Sequence, residues 1–127
     1  MSSRMVKGFN EFVGVEAARR AEIRKIILRN FELYGFEPTE SPTVEFEEFV
    51  GKDANEDTIS EIFRLEDRGK RKLALKYEST FQLKRIARNQ KLPFKRYAIA
   101  QVFRDEPTGS NRFREFSQCD VDVVGSL

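Results

Sequence analysis

Histidine is absent from these 127 residues, tryptophan is absent, and there is one cysteine. The missing histidine excludes Ser-His and Cys-His catalysis and any His-ligated metal site. A lone Cys119 allows no intrachain disulfide, which fits a reducing compartment, and its residue type reads more readily as a small core side chain than as a nucleophile. No apolar run reaches membrane-spanning length, and no apolar signal region follows the N-terminus, so a soluble, cytoplasmic chain without membrane attachment is expected. Proline (4) and glycine (7) are few and act as punctuation rather than as linkers. No glycine-rich phosphate loop occurs, so any nucleotide must be held by side chains on a sheet.

What is present is charge: 35% of the chain is Asp, Glu, Lys or Arg, yet the net charge is only +2. The basic residues cluster at Arg68–Lys72 and again over Lys84, Arg85, Arg88, Lys91, Lys95 and Arg96. Such clusters read as solvated faces, with an anionic ligand as the sharper alternative. Twelve phenylalanines supply most of the aromatic content.

Periodicity predicts a helix over residues 14–33, with Ala17, Ala21, Ile23, Ile26, Ile27 and Phe31 recurring at helical spacing and Gly35 as its stop. Residues 1–4 are expected to be disordered. Pro38 and Pro42 make residues 36–44 an edge or bent strand. A short helix is expected over 45–50 and a polar loop over 51–57. Strands are expected over 59–65 and 72–76, joined by the turn Asp67-Arg68-Gly69-Lys70. A second helix is expected over 80–90, stopped by Pro93, and long strands over 94–103 and 114–124. Val121, Val123 and Val124 are expected to need burial. The fold class is therefore α+β, an antiparallel sheet with flanking helices.

The final strands enclose a loop built from Pro107, Gly109, Ser110 and Asn111, with Arg104, Arg112, Arg114, Glu106 and Phe116 around it. Guanidinium forks grip phosphate oxygens and an aromatic ring stacks on a base, so the hairpin suits a nucleoside triphosphate. Gln118 and Asp122 are an even number of residues apart, with Asp120 between them, and should share one face of the strand with Arg114 and Phe116. Several polar groups on one face of a strand favour a ligand pocket. Blander roles stay open beside these: Arg104 and Glu106 as a surface ion pair, Phe116 as core, and Glu78 as a helix N-terminal charge.

Phe103-Arg104-Asp105-Glu106, followed by Arg112-Phe113-Arg114-Glu115-Phe116-Ser117-Gln118-Cys119-Asp120-Val121-Asp122, closely resembles motif 2 of the histidyl-tRNA synthetases, within residues 102–124. Its ending resembles the archaeal and eukaryotic branch. Lys7-Gly8-Phe9 is similar to the family's N-terminal segment. Residues 31–45, with Tyr34-Gly35-Phe36 and Ser41-Pro42-Thr43-Val44-Glu45, resemble motif 1, the dimerisation element of the class II synthetases. Leu75-Lys76-Tyr77-Glu78-Ser79-Thr80 resembles the histidine-binding box.

The resemblance covers nearly the whole chain and implies a partial class II catalytic core over residues 1–127. On that reading the anticodon-binding domain is absent and the chain is an N-terminal piece. Lys76 stands where the family usually has arginine, and Asn10-Glu11 replaces a common Arg-Asp. The implied activity is ATP-dependent activation of histidine and its transfer to tRNA-His, with Mg2+ accompanying ATP. Carried over by position, Arg104 is the catalytic arginine on the α-phosphate, Glu106 lies near the adenine amino group, Arg112 reaches the outer phosphates, and Phe116 lies under adenine. Glu78, Thr80 and Gln118 are implied to meet the α-amino group of histidine, and Asp122 its imidazole. Arg85 matches a recurrent arginine with no assigned role. A homodimer through motif 1 is implied as well. Two other readings remain: a synthetase-like regulatory subunit of ATP phosphoribosyltransferase, and an inert dimerising fragment.

Overall fold

The computed structural model describes residues 3–52 and 54–125. The expected disorder at residues 1 and 2 lies outside them, while Ser3 and Arg4 are exposed. The order of elements is helix α1 (Gly14–Leu33), strands β1 (Glu37–Pro38) and β2 (Val44–Phe46), helices α2 (Glu47–Gly51) and α3 (Glu56–Glu61), strands β3 (Arg64–Glu66) and β4 (Lys72–Leu75), helix α4 (Thr80–Ala87), and strands β5 (Phe94–Phe103) and β6 (Glu115–Val124).

The α+β class holds, but the strands form two sheets rather than one. The first has the order β1-β5-β6 and the second β2-β4-β3. All pairings are antiparallel except β1 with β5, which is parallel. Pro38 sits on the outer strand of the first sheet, where its missing N–H breaks no ladder. β5 and β6 pair along their whole length, from Phe94 opposite Val124 to Phe103 opposite Glu115. That long register is the platform for the site.

α1 lies across the face of the first sheet that carries Tyr97, Ile99, Ser117 and Cys119. The rings of Phe31 and Tyr97 stand 5.4 Å apart, and the Tyr97 hydroxyl donates to the Glu32 carboxylate at 3.0 Å. Arg20 donates to the Ser117 hydroxyl. Gly35, at φ +81°, closes the helix with its N–H on the Glu32 carbonyl. Contact with the sheet buries no residue of α1, so Ile23 and Ile26 stay exposed.

Around the second sheet a small core forms from Val50, Ile62, Ala74 and Tyr77, with Phe49 and Phe81 packed on it. The helix expected over 45–50 starts at Glu47, because Val44–Phe46 pairs with β4. The strand expected over 59–65 is helical up to Glu61. Asn55 caps α3 by accepting the Thr58 N–H at 2.8 Å, and Glu56 and Asp57 favour its positive end. β3 then keeps only three residues. The turn at Asp67–Lys70 forms as expected, closed by the Lys70 N–H on the Asp67 carbonyl. α4 is shorter than residues 80–90, ending at Ala87.

Two expectations of burial fail. Val121 and Val123 remain 40% and 46% exposed, and Cys119 is exposed. All three belong to the outer strand of the first sheet, on the face that α1 covers only in part. In β4 it is Ala74 that turns inward, followed by Lys76, whose ammonium donates to the Ser41 carbonyl at 3.0 Å. Burial pulls the Lys76 pKa down, and nearby Glu45 opposes that shift.

Candidate functional site

The face of β5–β6 opposite α1 carries the polar groups. Its β5 residues are Arg96, Ala98, Ala100 and Val102, directly opposite Asp122, Asp120, Gln118 and Phe116 of β6. The alternation predicted for β6 is thus correct, and one face presents Phe116, Gln118, Asp120 and Asp122 together. Opposite Gln118 and Asp120 stand the small side chains of Ala100 and Ala98, of which Ala98 is buried.

Arg104 follows β5 and is placed by the backbone around it. Its N–H donates to the Arg114 carbonyl at 2.9 Å, and the Phe103 N–H donates to the Lys76 carbonyl at 2.8 Å. The second bond ties the 75–80 box to the hairpin. The Arg104 guanidinium lies 4.3 Å from the centre of the Tyr77 ring and 5.2 Å from that of Phe116. The Tyr77 hydroxyl donates to Glu61 at 2.8 Å, which holds that ring still. Arg104 Nε is buried without a hydrogen-bond partner. A preorganised guanidinium with spare donors beside an exposed loop is a natural phosphate grip.

At the other end of the face, Gln118 Oε1 accepts the Ser79 N–H at 3.1 Å, and the Thr80 hydroxyl donates to Asp120 at 3.3 Å. Arg96 Nη2 lies 2.9 Å from Asp122 Oδ2 and 3.5 Å from Asp120 Oδ2. The Asp122 contact is an ion pair without hydrogen-bond alignment, since Oδ2 has no hydrogen-bond partner. Burial pushes the Glu78 carboxyl above its ordinary range, Arg104 and Lys84 pull it down, and Asp120 adds to the rise. Glu78 and Arg104 therefore share one electrostatic neighbourhood. The Ser79 hydroxyl and both amide atoms of Gln82 are buried without hydrogen-bond partners.

The hairpin tip is more open. Gly109 and Arg112 exchange both backbone hydrogen bonds at 3.2 Å, and the Arg112 side chain is exposed there. Glu106 is half-buried at the start of the loop. Arg114 departs from expectation. It precedes β6, and its guanidinium bonds to Asp105 at 3.0 Å and to the Lys7 carbonyl at 3.0 Å, packing over the rings of Phe63 and Phe9. Gly8 has φ +85° and lies against the Arg114 side chain, where a Cβ would come within 2.6 Å. Arg114 braces the 7–9 segment.

Arg85, left without a role, has one here. Its guanidinium makes a two-bond fork to buried Glu45, at 2.8 and 3.0 Å, tying α4 to β2. The sequence reading missed Arg96, which it placed on a solvated face although it is 1% exposed. It also missed Tyr77 as a shelf for Arg104. The available signal was parity, since Arg96 shares the inward face of β5 with Phe94, Ala98 and Val102. A cavity of about 1080 Å³ lies elsewhere, against Phe46, Phe49, Ile62 and Lys72, away from these polar groups. Among the described residues no cluster of three or more Asp, Glu, Cys or His could hold a metal, and no helix is long and apolar enough to cross a membrane.

The chain as a whole is similar to known proteins. The family profile described as "Histidyl-tRNA synthetase" matches residues 8–126. Histidine–tRNA ligase 1 of Bacillus cereus is 42% identical over 98% of this chain and 30% of its own length. The histidine–tRNA ligase of Wolinella succinogenes is 36% identical over 99% of this chain and 29% of its own. The crystal structure of histidyl-tRNA synthetase from Nostoc sp. PCC 7120 superposes with a TM-score of 0.82 at 36% identity, over 98% of this chain and 29% of that one. A Bacillus halodurans structure described as an ATP phosphoribosyltransferase regulatory subunit/histidyl-tRNA synthetase shares the fold, with a TM-score of 0.84 at 20% identity over 98% of this chain and 33% of that one.

The chain belongs to the histidyl-tRNA synthetase family. It spans about three-tenths of the length of the curated relatives it matches. These relatives are bacterial, so the expected archaeal and eukaryotic affinity finds no support among them.

Proposed function

We propose that this chain forms the ATP- and histidine-binding face of a cytoplasmic histidine–tRNA ligase of class II. In the whole enzyme, the carboxylate of histidine attacks the α-phosphorus of ATP, pyrophosphate leaves, and the histidyl group passes from the adenylate to the terminal adenosine of tRNA-His. The first step needs no general base, because the attacking carboxylate is already ionised at neutral pH. It needs two anions held together and the growing charge neutralised. A permanently charged guanidinium suits that task, so the absence of histidine from the chain is no obstacle.

One observation carries the reading: Arg104 is poised over Tyr77 and Phe116, within electrostatic reach of Glu78, on the face that presents Gln118, Asp120 and Asp122. Arg104 takes the α-phosphate and Phe116 the adenine ring. Glu106 meets the adenine amino group, and Arg112, on the open tip, takes the outer phosphates. Glu78, Thr80 and Gln118 hold the α-ammonium, and Asp122 accepts from the imidazole. Magnesium arrives with the phosphates of ATP as part of the substrate. The exposed apolar residues of α1 fit pairing with a second copy through motif 1.

Calorimetric titration of the chain with ATP and with histidine tests this. Binding of both supports the ligase reading. Histidine binding without ATP binding favours a regulatory subunit of ATP phosphoribosyltransferase, and binding of neither favours an inert dimerising fragment.

A further inference from the structure

We infer that Arg96 is a positioning residue for ring recognition: it pins the inner oxygen of Asp122 so that the rest of that carboxylate faces the ligand. This inference rests on the reading of the β5–β6 face as a histidine site. A guanidinium that is 1% exposed in mid-strand is costly unless several partners compensate it. Here the partners are Asp122, directly across the strands, Asp120, one pair further along, and the Ser79 carbonyl at 3.4 Å. One cation therefore faces two carboxylates, and the excess negative charge suits an N–H donor.

The exposure of Asp122 is divided between its atoms. Oδ2 is buried, 2.9 Å from Arg96, yet the side chain as a whole keeps 36% of its surface open. The inner oxygen is ion-paired with Arg96, and the exposed surface belongs to the other atoms of the side chain. An imidazole N–H pairs with such an acceptor, and a ring without an N–H leaves it unsatisfied. That difference is the basis of polar selectivity. The Ser79 link extends the same clamp to the residue whose N–H holds Gln118. Arg96 thus sets the outward carboxylate without touching the ligand.

The alternative is a plain brace between strands. A brace changes stability and affinity for every ligand alike, whereas the clamp changes the preference between rings. The test is calorimetric titration of histidine and of β-thienylalanine, whose five-membered ring has no N–H, into wild type, Arg96→Gln and Arg96→Lys. Wild type is expected to favour histidine, Arg96→Gln to lower the affinity ratio by about tenfold, and Arg96→Lys to restore part of it. An unchanged ratio in folded Arg96→Gln overturns the inference and leaves the histidine reading standing. If circular dichroism shows that Arg96→Gln does not fold, Arg96→Lys decides, and a ratio equal to wild type overturns the clamp. Wild type that binds neither ligand, or both equally, contradicts ring recognition at this face and removes the inference with it.

Discussion

Burial pushes the Glu78 carboxyl above its ordinary value of 4.5, against the pull of Arg104 and Lys84. Its consequence for stability has a definite sign. Below 4.5 the group is protonated in both folded and unfolded chains. As pH rises toward the higher folded value, the unfolded chain loses its proton first and the folded state is disfavoured. Stability contributed by Glu78 is therefore present at low pH and lost as pH climbs through that window. In urea unfolding series, Glu78→Gln is expected to remove this part of the pH dependence, and an unaltered profile counts against a buried acid. The same logic suits function, since an arriving ammonium would favour the ionised form. Strand parity made the shared face of Phe116, Gln118 and Asp122 legible in the sequence. Arg96 was not, because its basic neighbours in the chain, Lys91 and Lys95, resemble a solvated run, and only the strand register places it inside.

At the scale of elements, α4 and β2 are joined by the Arg85–Glu45 fork, with the Arg85 guanidinium also 4.7 Å from the centre of the Phe49 ring. Glu45 is 8% exposed while the Arg85 side chain is 43% exposed, so the pair is worth less than a fully buried one. Arg85→Ala strands the Glu45 charge and is expected to cost about 1–3 kcal/mol in chemical denaturation. A loss near zero would show that water replaces the guanidinium. The long elements α1, β5 and β6 were legible from periodicity and alternation. The short ones between residues 44 and 66 were not. There the Asn55 cap and the pairing of Val44–Phe46 with β4 decide the outcome against local apolar pattern. Exposure of Val121 and Val123 was equally beyond reach, because it depends on which strand ends up at the sheet edge.

For the molecule as a whole, α1 presents Val15, Ile23, Ile26 and Leu33 to solvent, an apolar surface in keeping with a homodimer. Sedimentation equilibrium is expected to show a dimer that Ile26→Asp converts to monomer, and a concentration-independent monomer in the wild type removes the dimer. The two sheets meet where the 75–80 box runs beside the end of β5, and that junction brings Arg104 to Glu78. The proposed phosphate grip of Arg104 at this junction is read out by calorimetric titration of ATP into wild type and Arg104→Ala. Saturable binding weakened about tenfold or more in the variant is predicted. Equal binding by both proteins, or none by the wild type, would contradict it.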